Sequence, residues 1–158
     1  MQPRLEVVKE KKLVGKRMQM SLIEDKTFEL WRSFMPDRMK IANKLSDEFI
    51  SMRVYNESFY LQNPGQQFEK WAAVEVSEFS KAPEGMETFT LSSGLYAIFD
   101  YKGLNTDNSI FIYIFTQWLP NSNYELDDRP HFEVLGKSYK NNDPESEEEI
   151  LVPVRLKQ

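Results

Sequence analysis

Residues 117–136, QWLPNSNYELDDRPHFEVLG, hold the transition from which the fold is read. Their first three residues end a run of aromatic and branched side chains, 108–119 (NSIFIYIFTQWL), which Pro120 and Asn121 stop. Ile, Phe and Tyr favour strands. The length of the run and the spacing of Ile110 or Phe111, Ile114, Phe115 and Trp118 nevertheless predict a buried helix. Further on, HFEVL alternates: a two-residue period puts Phe132 and Val134 on one face and His131, Glu133 and Leu135 on the other. The first face is core. The second carries a carboxylate, and two readings of it stay open. Either water covers that face and Glu133 is an ordinary strand residue, or the face is closed over. A buried anion there is costly unless paired, protonated or awaiting a cation.

Toward the C-terminus an acidic loop, 142–148, leads to a last strand over about 149–156. Toward the N-terminus, 86–91 and 94–101 read as extended segments on either side of Ser92 and Ser93. Before them FEKWAAVEVSEF (68–79) alternates as a strand, with Phe68, Lys70, Ala72, Val74 and Val76 opposite Trp71, Ala73 and Glu75. A shorter strand over 51–57 precedes the turn Asn63-Pro64-Gly65. Residues 25–42 predict a helix capped at Asp25 and carrying Phe28, Trp31, Phe34 and Met35, with a break near Met35 because Pro36 follows. Residues 4–20 are extended, with Gly15 expected to mark a bulge. Strand, helix, strand, strand thus occurs twice. This order predicts an α+β domain over 1–158, with two helices on one face of a mostly antiparallel sheet.

Composition narrows the chemistry. A chain of 158 residues buries roughly two-thirds of its unfolded surface, and the rings in a composition of 13% aromatic residues have to line a core or a pocket. The net charge of −5 argues against a nucleic-acid backbone as partner. No apolar run approaches the length of a membrane span, and no secretory leader is legible. With no cysteine and this N-terminus, a cytoplasmic protein is expected. With cysteine absent and His131 the only histidine, Ser-His-Asp and Cys-His arrangements are close to excluded, and His131 reads as a hydrogen-bonded strand residue rather than a base. Neither a phosphate loop nor a dinucleotide fingerprint is present, and no cofactor or metal is expected. The acidic run DPESEEE (143–149) lacks calcium-loop spacing and reads as solvated.

What remains is a set of rings with one carboxylate: Trp71, Tyr96, Tyr101, Trp118, Tyr124 and Glu133, with His131 beside the last. Rings around one anion suit a lipophilic cation. The same residues carry a resemblance to the GyrI-like family, the bacterial transcription-activator effector-binding domains. It extends over PRLEVVKEKKLVGKRMQMSL, LWRSFMPDRMKI, FEKWAAVEVSEF, PEGMETFTLSSGLYAIFDYKG, FTQWLPNSNYELDDRPHFEVLG and VPVRLK. The resemblance implies two strand-helix-strand-strand units with a pocket between them for lipophilic, often cationic compounds. It also implies a floor glutamate at Glu133 and walls from Tyr96, Trp118 and Tyr124. Regulators of this family place a DNA-binding segment ahead of the domain. Here the first strand begins at Pro3, so DNA binding in cis is not implied, and a regulator protein would act in trans. Two other readings follow from relatives. One is a hydrolase using Glu133 with Tyr96 or Tyr124, and the other is a gyrase-inhibitor-like module with a protein partner.

Overall fold

The computed structural model describes residues 1–158. Its strands are β1 (Arg4–Val8), β2 (Lys11–Met20), β3 (Phe49–Tyr55), β4 (Phe68–Val76), β5 (Glu87–Leu91), β6 (Gly94–Lys102), β7 (Tyr124–Leu126), β8 (His131–Leu135) and β9 (Glu147–Leu156). The sheet runs β1-β6-β9-β8-β3-β4-β2-β5, antiparallel throughout, and β7 adds to β9. The two strand-helix-strand-strand units, β2 to β4 and β6 to β9, therefore meet along β3 and β8. The order on one side of this seam mirrors the order on the other.

The first helix, α1 (Thr27–Phe34), starts where the Asp25 carboxylate accepts the Thr27 N–H at 2.8 Å. It gives way at Met35 to a 3₁₀ stretch, Met35–Lys40, whose second residue is Pro36. Pro36 cannot donate to the helical ladder, which accounts for the break at the expected place. The second helix begins as α2 (Ser109–Tyr113), widens to a π-helical turn (Ile114–Trp118) and ends as α3 (Leu119–Asn121). Pro120 offers no N–H and would crowd the carbonyl four residues back; the wider turn before it accommodates both constraints.

Both ends of the sheet are built from the same two long segments. Arg4 lies opposite Ile98 and Val8 opposite Gly94; after two residues on each strand the same register resumes, with Lys11 opposite Leu91 and Gly15 opposite Glu87. A three-residue step reaches only about 10 Å. The two ends of the strand order are thereby drawn together and the sheet curls. Inside the curl lie Leu13, Ile50, Met52, Trp71, Leu91, Tyr96, Phe132 and Leu151, drawn from both units. On the outside, Leu30 and Phe34 of α1 pack on Val14, Phe68, Ala72 and Val74, while Ile110 and Ile114 pack on Ala97, Phe99, Ile150 and Val152. No helix in the structure is long and apolar enough to cross a membrane.

Two local expectations need correction. The alternation of residues 4–20 is broken at Lys9 and Glu10, where the chain changes sides, and Gly15 forms no bulge. Gly15 keeps regular pairing with Ala73, and a Cβ there would strike the Ala72 carbonyl oxygen and lie 2.7 Å from the Ala73 Cβ. The glycine is thus explained by close packing of β2 on β4. The short strand β7 was not anticipated either. Gly15→Ala is expected to destabilise the protein by about 1–3 kcal/mol, the scale of overpacking a filled interior. A urea midpoint equal to that of the parent protein would show that the two strands can separate to admit the methyl group.

Candidate functional site

The helices cover the outer strands of each unit and leave β3 and β8 between them. Alternation aims Ser51, Arg53 and Tyr55 of β3, with His131 and Glu133 of β8, into this interval. Lys70 of β4 lies opposite Arg53 and joins the same face. The second of the two readings of Glu133 therefore holds: it is only 8% exposed. Its Oε1 accepts a hydrogen bond from Arg53 Nη2 at 3.1 Å. The other oxygen, Oε2, and the Arg53 Nε are buried with no hydrogen-bond partner in the protein. The Arg53 guanidinium also lies over the Phe111 ring, 5.2 Å from its centre.

Aromatic rings cover this interval. Phe59, on the loop after β3, stands 5.0 Å from Tyr55, 4.8 Å from Phe115 and 5.7 Å from the His131 ring. The loop is pinned by Gln66, whose side chain donates to the Ser58 carbonyl and accepts from the Tyr60 N–H. On the α1 side, Trp31, Phe34 and Phe49 pack edge to face. Where β8 leaves β9, a cavity of about 450 Å³ opens beside Tyr101, Val134, Gly136 and Glu148.

The charges on this floor act on one another. Burial, reinforced by the Arg53 charge, pushes the His131 imidazole down to about 3, so it is neutral over the physiological range. Burial and Arg53 also pull the Lys70 ammonium below its ordinary value, with Glu133 opposing; its hydrogen bond goes to Thr27 Oγ1 at 3.2 Å. Glu148 is pushed up to about 7, first by burial and then by the Glu133 charge, against the pull of Arg53 and Lys70. The Arg53–Glu133 ion pair, a buried amine and a carboxyl titrating near neutrality thus share the region.

Only part of the residue set read from the sequence converges here. Glu133 and His131 lie on the floor, and Tyr101 borders the adjoining cavity with its hydroxyl donating to the Leu104 carbonyl. Trp118 packs on Phe99 at 5.3 Å and stacks with Tyr124 at 6.3 Å, in the layer between the second helix and its strands. Tyr96 and Trp71 are on the opposite face of the sheet, inside the curl. Tyr96 is wholly buried, donates to the Pro130 carbonyl at 2.8 Å and lies under the Arg129 guanidinium. Strand parity separates them from Glu133. Residues not singled out from the sequence share this face or pack against it: Arg53, Lys70, Tyr55, Phe111, Phe115, Phe59 and Glu148. One signal for Glu148 was present, since EEEILV places it two residues from Ile150 and so on the helix side of β9.

Comparison with known proteins agrees with this architecture. The family model described as the GyrI-like small molecule binding domain matches residues 1–155. The transcriptional regulator BrlR of Pseudomonas aeruginosa is 27% identical over 128 residues, which is 80% of this chain and 45% of BrlR. The chain thus spans less than half the length of that relative. Among solved structures, the EcmrR C-terminal domain superposes with a TM-score of 0.73 at 13% identity, covering 99% of this chain and 98% of that one. SAV2435, solved bound to tetraphenylphosphonium, gives 0.69 at 16% identity over 98% and 94% of the two chains. At these identities the likeness is one of fold.

The two shifted groups tilt stability in opposite directions. His131 stays neutral in the native state down to about 3 whereas its ordinary value is 6.5, so the unfolded chain takes up a proton first and stability falls as pH drops below 6.5. Glu148 keeps its proton up to about 7 against an ordinary 4.5, so its contribution is lost as pH rises through that interval. In urea titrations across pH, His131→Asn should flatten the acid limb and Glu148→Gln the limb toward neutrality. An acid limb as steep in His131→Asn as in the parent would mean that His131 is not held neutral.

Proposed function

The chain belongs to the GyrI-like small molecule binding domain family, and we propose that it binds a lipophilic small molecule in the groove between α1 and the second helix, over Glu133. The observation that carries this reading is the floor itself. A buried carboxylate and a half-buried guanidinium, set among rings, each keep one buried polar atom unmatched by the protein. Leaving such atoms unmet is costly, and a bound molecule that meets them recovers that cost. Phe59, Phe111 and Phe115 supply apolar surface around it. A sensing or sequestering role follows from such binding.

The expectation of a cationic ligand rested on an unneutralised Glu133. In this chain Arg53 already neutralises it, so a cation has to share the carboxylate with the guanidinium. The hydrolase reading has little geometric support, because the Tyr96 hydroxyl is committed to Pro130 from the other face and Tyr124 is stacked on Trp118.

Calorimetric titration with a panel of aromatic compounds, cationic and neutral, tests the proposal. Phe115→Ala should weaken the compounds that bind by about 1–2 kcal/mol, the worth of one aromatic wall. Trp71→Phe, a change on the reverse face, should leave them unaffected. Affinities that ignore Phe115→Ala but respond to Trp71→Phe would relocate the site to the inside of the curl.

A further inference from the structure

We infer that Arg53 is the residue that sets the charge class of the ligand: as a tethered counter-ion it makes the groove favour neutral, amide-like aromatic compounds over permanent lipophilic cations. The inference rests on the small-molecule reading above and goes beyond it in naming the ligand's polar chemistry. Two features of an apolar groove attract a lipophilic cation: a desolvated carboxylate and the face of an aromatic ring. Arg53 occupies both. Its Nη2 holds Glu133 Oε1 at 3.1 Å and its guanidinium covers Phe111 at 5.2 Å. A cation approaching the free Glu133 oxygen would gain from the carboxylate and lose comparably to the guanidinium beside it. Lys70, directly across the strand pair from Arg53, places a second basic side chain on the same face.

The unmatched atoms specify what suits the floor instead. Arg53 Nε is a donor and calls for an acceptor; Glu133 Oε2 is an acceptor and calls for a donor. A carboxamide flanked by aromatic rings presents one carbonyl oxygen and one N–H on a neutral body. It carries a group of the kind each atom calls for and brings no charge to compete with the ion pair. A permanent phosphonium or quaternary ammonium offers no hydrogen-bonding group, and binding it at Glu133 requires Arg53 to move aside.

Two probes test this: benzanilide, a neutral diaryl amide, and tetraphenylphosphonium. Each is titrated by calorimetry into the parent protein, into Arg53→Met, and into the double variant Arg53→Met/Glu133→Gln, which leaves no ion pair to break. The parent should bind benzanilide more tightly. Arg53→Met should bind tetraphenylphosphonium roughly tenfold or more tightly than the parent does, with weakened benzanilide binding, and the double variant should lose the gain for the cation. Should Arg53→Met not fold, Arg53→Gln removes the charge while keeping a donor near Glu133, and the same reversal is expected. A ratio of the two affinities that stays within about threefold across parent and variants overturns the role of Arg53 and leaves the groove as a binding site. No binding of either probe to any of these folded proteins overturns the small-molecule reading, and this inference with it.

Discussion

Between Val8 and Lys11 the chain passes from one end of the sheet's strand order to the other, and between Leu91 and Gly94 it does so again in the opposite sense. Because each passage is so short, the ends of the sheet cannot lie apart, and the curl that results separates the two faces completely. The concave side is sealed by side chains from both units, so it is a shared core. The outer side has room for helices, and each packs on the strands of its own unit. What remains uncovered is the seam where β3 and β8 meet. The groove is therefore a consequence of how the sheet closes, and the residues on its floor are those whose parity points outward at the seam.

The Arg53–Glu133 pair stands at that seam. Desolvating two charges offsets most of their mutual attraction, so the pair contributes little net stability, whereas removing one partner alone typically costs about 3–5 kcal/mol. An apolar floor of the same volume would serve folding as well or better. Charges with unmatched atoms constrain what else can sit there. Phe59 belongs to the same picture, since it shields His131 and Phe115 from a loop that side-chain hydrogen bonds fasten to itself.

Much of the architecture was legible in the sequence, because alternation and helical spacing are local. HFEVL and FEKWAAVEV assign their faces without help from the rest of the chain, and Pro36 and Pro120 mark where the helices change character. Other features were hidden because they depend on which strand lies beside which. Gly15 looks like a bulge until β4 is known to press against it. Arg53 lies in a segment read as a strand, but nothing local says that β3 pairs with β8 and brings it diagonally to Glu133. Tyr96 and Trp71 share the composition of a binding wall and differ from Glu133 only in which side of the sheet they face. Glu148 sits in a run of carboxylates that resembles a solvated loop, although the strand it begins carries it inward.

The crossing strands also order events in time. β2, α1, β3 and β4 are contiguous and can pair as soon as residues 11–76 have emerged from the ribosome, but the partner of β1 is β6, at 94–102. The first strand made is thus among the last to be bonded, and β2 likewise keeps one edge unpaired until its partner β5, Glu87–Leu91, has been made. Loop-closure entropy makes such distant pairings slow. The charges alternating along RLEVVKEKK suit a segment that has to stay soluble and refuse wrong partners while it waits.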